Sequence, residues 1–168
     1  MNIVLTGLRG SGKSHYSKKL SKLLSWKIVD TDNLIKEREK KTITEIVQDN
    51  GWKYFRDLER EIAKEVGQLD EHVISTGGGM IINRENEQEL KKNGKIVFLY
   101  RTPEKCAEFI ENGSGKDRPP LTEKQTILEE LTETWEKREK RYTESADLII
   151  DVNEELSTEH ILELLGNS

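Results

Sequence analysis

Short apolar runs recur along the chain and are separated by longer polar stretches. The runs lie near residues 2–6, 27–30, 72–76, 95–100 and 147–151. Each run has the length of one buried strand, and the stretches between them are long enough for helices. Strands that alternate with helices predict an α/β domain with a parallel sheet.

The stretches between the strands carry helical patterns, as at residues 14–25, where leucines recur at helical spacing. Between the second and third strands, helical patterns occur at 33–40, 44–50 and 52–69. This is more helix than one connection between parallel strands requires, so we expect a substrate-binding insertion near residues 32–70. A long charged helix is predicted at 126–146, with a mostly solvated face.

Glycine and proline are frequent just before that last helix, and they predict a lid at about residues 112–124. Arg118 lies within this segment and could move onto a transferring phosphate, although taken alone it is more typical of a surface arginine.

The segment GLRGSGKS at residues 7–14 fits the phosphate-binding pattern G-x-x-x-x-G-K-[ST] and lies between the first strand and the first helix. Its backbone N–H groups and the helix N-terminus favour phosphate, Lys13 reaches the β/γ-phosphates, and Ser14 can hold Mg²⁺. His15 follows directly, but the histidines show no metal-ligand spacing. We therefore expect a nucleoside triphosphate at Gly10, Ser11, Gly12, Lys13, Ser14 and His15.

Composition narrows the choice of partners. The 168 residues suit one domain, 1–168, and the net charge of -5 argues against a broad nucleic-acid or anionic-membrane surface. No apolar run approaches the roughly 20 residues of a membrane span, so we expect neither a signal peptide nor an anchor, and a cytoplasmic location. The single cysteine, Cys106, is expected to pack in the interior.

Two carboxylates end the second strand, in the tripeptide Asp30-Thr31-Asp32. Among the apolar runs in the interior of the chain, only the one at 27–30 ends in an acidic residue, which makes Asp30 the candidate for the Mg²⁺ shell. Asp32, two residues on along an extended segment, would lie on the same side and could face the substrate. The alternative is that Asp32 caps a helix beginning at Asn33.

Further candidates lie on helices and after a strand. Arg56 and Glu59 are three residues apart, so the carboxylate can orient the guanidinium toward an anionic substrate, although such pairs also commonly face solvent. Three glycines, 77–79, follow the third strand and favour a ligand close to the main chain over a plain turn. Arg138 and Tyr142 share a helix face, which also suits packing.

Six motifs in this order resemble those of the shikimate kinase family of bacteria and plants, in the nucleoside-monophosphate-kinase-like P-loop group, over the whole chain. They are GLRGSGKS at 7–14, DTD at 30–32, FRDLE at 55–59, STGGG at 75–79, RPPL at 118–121 and REKRYTESA at 138–146. The resemblance implies a three-layer α/β/α kinase with a five-stranded parallel sheet in the order 2-3-1-4-5, a substrate-binding helical insertion and a lid.

The resemblance also implies a reaction, the ATP-dependent phosphorylation of the 3-hydroxyl of shikimate on the route to aromatic amino acids. Asp30 would hold Mg²⁺ through water beside Ser14, and Asp32 would bind the 3-hydroxyl as base or orienter. Arg56 and Arg138 would clamp the shikimate carboxylate. The binding partners would be the small molecules shikimate and ATP, and the protein is expected to be a monomer.

The remaining implied roles concern the glycines and the charge on the transferred group. Gly77, Gly78 and Gly79 would border shikimate, the last two through their N–H groups, and Ser75 would lie near the metal shell. Lys13 and Arg118 would neutralise the migrating phosphoryl group, so that Asp32, Lys13 and Arg118 form the catalytic set and Arg118 also contacts ATP.

The chain departs from the family pattern before RPPL, where a lid arginine that stacks on adenine is often found and this sequence has Phe109-Ile110-Glu111-Asn112. Adenine contacts are therefore not assigned, and the segment 151–154 after the last strand is not diagnostic. Two alternatives stay open. One is a related kinase for another hydroxy acid such as gluconate, and the other is a non-catalytic nucleotide-binding module.

Overall fold

A computed structural model describes residues 1–112 and 126–166 of the chain. Its sheet has five strands, all parallel, in the order β2-β3-β1-β4-β5. The strands are β1 (Asn2–Thr6), β2 (Lys27–Asp30), β3 (His72–Ser75), β4 (Gly94–Tyr100) and β5 (Leu148–Asp151). The predicted class, strand count and strand order are confirmed.

Helices connect the strands and cover both faces of the sheet. They are α1 (Lys13–Leu24), α2 (Thr31–Glu39), α3 (Ile43–Val66), α4 (Arg84–Lys91), α5 (Pro103–Glu111), α6 (Ile127–Ser145) and α7 (Thr158–Gly166), with a 3-10 turn at Met80–Ile82. The α3 helix leaves helical geometry at Gly51, where φ is 84°. That break lies between the two separate helices predicted at 44–50 and 52–69, since glycine adopts a positive φ without steric cost.

Side chains of successive strand residues pack on opposite faces, as expected for a pleated strand. In β1, Val4 belongs to a core with residues of α3, α4 and α6, whereas Ile3 and Leu5 belong to a second core with residues of α1 and α7. The sheet is therefore the middle of three layers, and every residue of β1 is buried. This burial holds the loop that follows β1 on a rigid support.

Register brings the ends of the strands to one edge of the sheet. Asp30 at the end of β2 pairs with Ser75 at the end of β3, and Leu5 of β1 also pairs with Ser75. Ligands of open α/β sheets bind beyond the carboxyl ends of the strands. The candidate residues after β1, β2 and β3 thus share one edge.

The predicted lid at 112–124, with Arg118 and the RPPL motif, lies outside the described residues except for Asn112. Within the parts that are described, no helix is long and apolar enough to cross a membrane.

Candidate active site

The phosphate loop between β1 and α1 forms one wall of a cavity of about 300 Å³. Lys13 donates from Nζ to the carbonyls of Gly7 and Leu8, both at 2.8 Å, so its ammonium group lies inside the curve of the loop. Gly12 caps α1 with φ 96°, a conformation that glycine adopts readily. Of the other predicted nucleotide residues, Gly10, Gly12, Ser14 and His15 line the cavity, whereas Ser11 is buried behind them.

Arg101, which follows β4, supports the loop from the other side. Its Nη1 donates to the carbonyl of Gly10 at 3.0 Å and its Nε donates to the carbonyl of Val152 at 3.3 Å. The guanidinium also lies 5.6 Å from the ring centre of Phe109, which lines the cavity and is 40% exposed. Arg101 therefore joins the phosphate loop to the loop after β5.

The two carboxylates of the DTD motif line the same cavity but differ from the predicted arrangement. Only Asp30 is in the strand, because α2 begins at Thr31, and the prediction of one extended segment was wrong. The helix cap is Asp30 rather than Asp32, since Oδ1 of Asp30 accepts the N–H of Asn33 at 3.0 Å. Asp32 occupies the first turn of α2.

Burial raises the pKa of the Asp30 carboxyl, the Asn33 N–H opposes this, and the nearby charge of Asp32 raises the pKa further. Two carboxylates so close at the edge of a phosphate loop favour a cation between protein and phosphate. Within the described residues no group of three or more His, Cys, Asp or Glu side chains could hold a metal by itself. Oxygen ligands of Ser14 and Asp30 nevertheless suit Mg²⁺, which usually binds one or two protein oxygens with phosphate and water.

The three glycines after β3 leave room for functional side chains. A Cβ atom on Gly77 would lie 2.6 Å from Oδ1 of Asp32, and one on Gly79 would lie 2.7 Å from Cζ of Arg56. None of these glycines has a positive φ. Backbone conformation therefore does not demand glycine here, but a side chain at position 77 or 79 would have to displace Asp32 or Arg56.

A second cavity, of about 250 Å³, is lined by Arg56, Gly79 and Arg138 among others. Nη1 of Arg56 lies 2.6 Å from Oε2 of Glu59, whose side chain is only 1% exposed. The solvated-face alternative for this pair is therefore wrong. The ion pair with the buried carboxylate of Glu59 holds the Arg56 guanidinium in place. Arg138, on α6, lines the same cavity.

Comparison with known proteins agrees with this geometry. A family model described as shikimate kinase matches residues 9–167. The chain is 39% identical over 160 residues to shikimate kinase 2 of Photorhabdus laumondii, covering 95% of this chain and 90% of that protein. The protein belongs to the shikimate kinase family.

Solved structures of this family have the same fold. A shikimate kinase from Acinetobacter baumannii, in complex with shikimate, superposes with a TM-score of 0.88 at 28% identity, covering 99% of this chain and 93% of that one. A shikimate kinase from Bacteroides thetaiotaomicron has a TM-score of 0.88 at 31% identity, covering 99% and 98% of the two chains.

Sequence reasoning missed several residues that build the site of this shikimate kinase family member. Sequence analysis assigned no role to Arg101 or to Arg141, which lies in the predicted charged helix at 126–146. Arg141 is largely buried, donates to the carbonyls of Ile81 and Ile82, and pairs with Glu87 at 2.6 Å. An arginine in a highly charged helix carries little signal until its distant partners are known.

Proposed function

We propose that this protein transfers the γ-phosphoryl group of ATP to the 3-hydroxyl of shikimate. The observation that supports it best is that the glycine segment lines two cavities, the first through Gly77 and Gly78 and the second through Gly79. The phosphate loop and Asp32 line the first cavity, and Arg56 and Arg138 line the second. An acceptor that carries a carboxylate at one end and a hydroxyl at the other fits this arrangement.

The arginines form the acid-binding end of the proposed site. Arginine binds a carboxylate through two parallel hydrogen bonds, and a buried partner such as Glu59 keeps the guanidinium of Arg56 in place. With the carboxylate held there, the ring would extend past the glycines toward Asp32. Positioning of this kind supplies much of the rate enhancement in phosphoryl transfer.

Asp32 is the residue we assign to the reacting hydroxyl. Its carboxylate can accept the hydroxyl proton, either as base or by orienting the oxygen for in-line attack on the γ-phosphorus. Lys13 would stabilise the charge on the transferred group, since its ammonium already lies within the phosphate loop. Ser14 and Asp30 would hold Mg²⁺, which neutralises phosphate charge when bound.

An assay of ADP release tests this proposal. The purified protein is expected to release ADP from ATP and Mg²⁺ rapidly with shikimate and only slowly with gluconate or without an acceptor. Lys13→Ala provides the background control, because a contaminating kinase would survive that substitution.

Two results would reject the proposal in different ways. Faster turnover with gluconate than with shikimate would indicate a kinase for another hydroxy acid. Nucleotide binding without turnover of either acceptor would indicate the non-catalytic module.

A further inference from the structure

Tyr142 of α6 is a buried tyrosine that the proposed chemistry does not use directly. Its side chain is fully buried, and its ring stacks on Phe98 with 5.1 Å between ring centres. Its hydroxyl donates to the carbonyl of Gly78 at 2.6 Å, across 64 residues of chain. A phenylalanine could make the same stacking contact, so the hydroxyl is the part that requires an explanation.

The carbonyl of Gly78 and the N–H of Gly79 belong to one peptide unit. No peptide bond in the described chain is cis, so these two groups point in opposite directions. Fixing the carbonyl on Tyr142 therefore fixes the direction of the Gly79 N–H. Within residues 1–112 and 126–166, the N–H groups of Gly78 and Gly79 donate to no protein acceptor. Both are available to a ligand.

Helix α6 also carries Arg138, the arginine proposed to bind the substrate carboxylate, one turn before Tyr142. Nη1 of Arg138 lies 3.6 Å, and the Tyr142 hydroxyl 3.5 Å, from the position that a Cβ atom on Gly78 would occupy. Arg141, between them in sequence, donates to the carbonyls of Ile81 and Ile82, just beyond the glycines. One turn of α6 thus holds the glycine segment through Tyr142 and the residues just after it through Arg141, and presents Arg138 beside Gly78.

We propose that Tyr142 is a positioning residue, whose hydroxyl orients the Gly78–Gly79 peptide so that its N–H binds the acceptor substrate next to Arg138. This inference rests on the proposed function. It predicts that the hydroxyl affects binding of the acceptor and not binding of the nucleotide, because Tyr142 does not line the cavity formed by the phosphate loop.

Tyr142→Phe tests the proposal, since it keeps the ring and removes one hydrogen bond. We expect KM for shikimate to rise about 3- to 10-fold, the range for one neutral hydrogen bond, with KM for ATP unchanged. Tyr100→Phe is the matched control. Tyr100 also packs on Phe98 and Trp135, but its hydroxyl has no bond to the glycine segment in the described structure, so its KM values should stay at wild type.

Each other outcome overturns the proposal. A lower melting temperature for Tyr142→Phe with unchanged KM for shikimate would assign the hydroxyl to stability alone. Equal increases in both KM values would indicate general disruption of the site. Wild-type protein without shikimate-dependent ADP release would reject the proposed function and this inference together, whereas an active wild type with an unaffected Tyr142→Phe variant would reject the inference alone.

Discussion

Residues of the same type have different tasks at this site because their surroundings differ. Asp30 ends β2 and caps α2, whereas Asp32, two residues later, lies so close to the main chain that a side chain at position 77 would displace it. Arg56 is held by a buried carboxylate, and Arg101 is held by backbone carbonyls. The role of each side chain therefore depends on the atoms that it contacts.

Substitution of Asp32 by Asn should lower kcat by about 100-fold, the lower range for loss of a positioned acid–base group. The amide keeps the size of the side chain but cannot take the hydroxyl proton, so KM for ATP should change little. Initial rates at saturating shikimate give the measurement. A kcat near the wild-type value would reduce Asp32 to a packing role.

Cys106 should resist alkylation in the folded protein. The thiol is fully buried, and burial raises its pKa to about 11, so almost none is thiolate at pH 8. Iodoacetamide at pH 8 should modify the thiol at least about 100-fold more slowly in buffer than in urea. Mass spectrometry over time checks this, and equal rates in the two solvents would contradict the buried position.

The same shift in pKa predicts how stability depends on pH. The folded state holds the Cys106 proton more tightly than the unfolded state, whose pKa is near 9.0. This contribution to the free energy of unfolding is therefore present below pH 9 and is lost as the pH rises toward 11. Urea unfolding of wild type and Cys106→Ala at pH 8 and 10.5 isolates the effect, because the difference between the two proteins should shrink at the higher pH.

Several helices of the fold position the residues of the site. The glycine segment after β3 receives Asp32 from α2, Arg56 from α3 and the hydroxyl of Tyr142 from α6. Three helices that are distant in sequence thus converge on one short loop. A side chain added to the loop should disturb whichever helix it meets, and the effects should differ between neighbouring glycines.

Alanine substitutions at Gly77 and Gly79 test this convergence. Gly79→Ala should displace Arg56 and raise KM for shikimate at least 10-fold, whereas Gly77→Ala should displace Asp32 and lower kcat by a similar factor, since each Cβ would overlap the side chain named. Gly166→Ala is the control and should leave both parameters unchanged, because among the described residues no neighbouring atom lies within 4 Å of the position its Cβ would take. Identical kinetic effects at positions 77 and 79 would contradict the separate contacts.

At the scale of the whole molecule, ligand binding adds to the stability of the fold. The first cavity is lined by the phosphate loop, by the ends of β2 and β3 and by residues of α1, α2, α3 and α5, and the second by residues of α3, α4 and α6, so a ligand in either cavity is held by several elements. A ligand that binds only the folded protein must raise the melting temperature.

Shikimate at 100 times its Kd should stabilise the protein by about 2.7 kcal/mol and raise Tm by roughly 5–11 °C for a chain of this size. Arg138→Lys keeps the charge but loses the paired hydrogen bonds, so its response to shikimate should fall while its response to ADP with Mg²⁺ remains. Calorimetry with gluconate as the comparison ligand checks both. Loss of both responses in Arg138→Lys would move this residue out of the acid-binding site.

The sequence by itself determined the elements whose signal is local. Apolar runs and leucine spacing located the five strands and the first helix, and GLRGSGKS located the phosphate loop, because strand, turn and helix preferences act between near neighbours. The resemblance of six motifs supplied the strand order, which no local pattern contains. The confirmed order 2-3-1-4-5 was therefore predictable only from the whole set of motifs.

Only the tertiary structure decided how the site is supported. The bond from Tyr142 to Gly78 spans 64 residues and that from Arg101 to Gly10 spans 91, so neither residue shows its partner in the sequence. It likewise assigned the helix cap to Asp30, since the start of α2 depends on where β2 ends in the sheet. Such contacts form when packing of the layers brings distant segments together, and the physical reason for Gly77 and Gly79 is the space that those segments occupy.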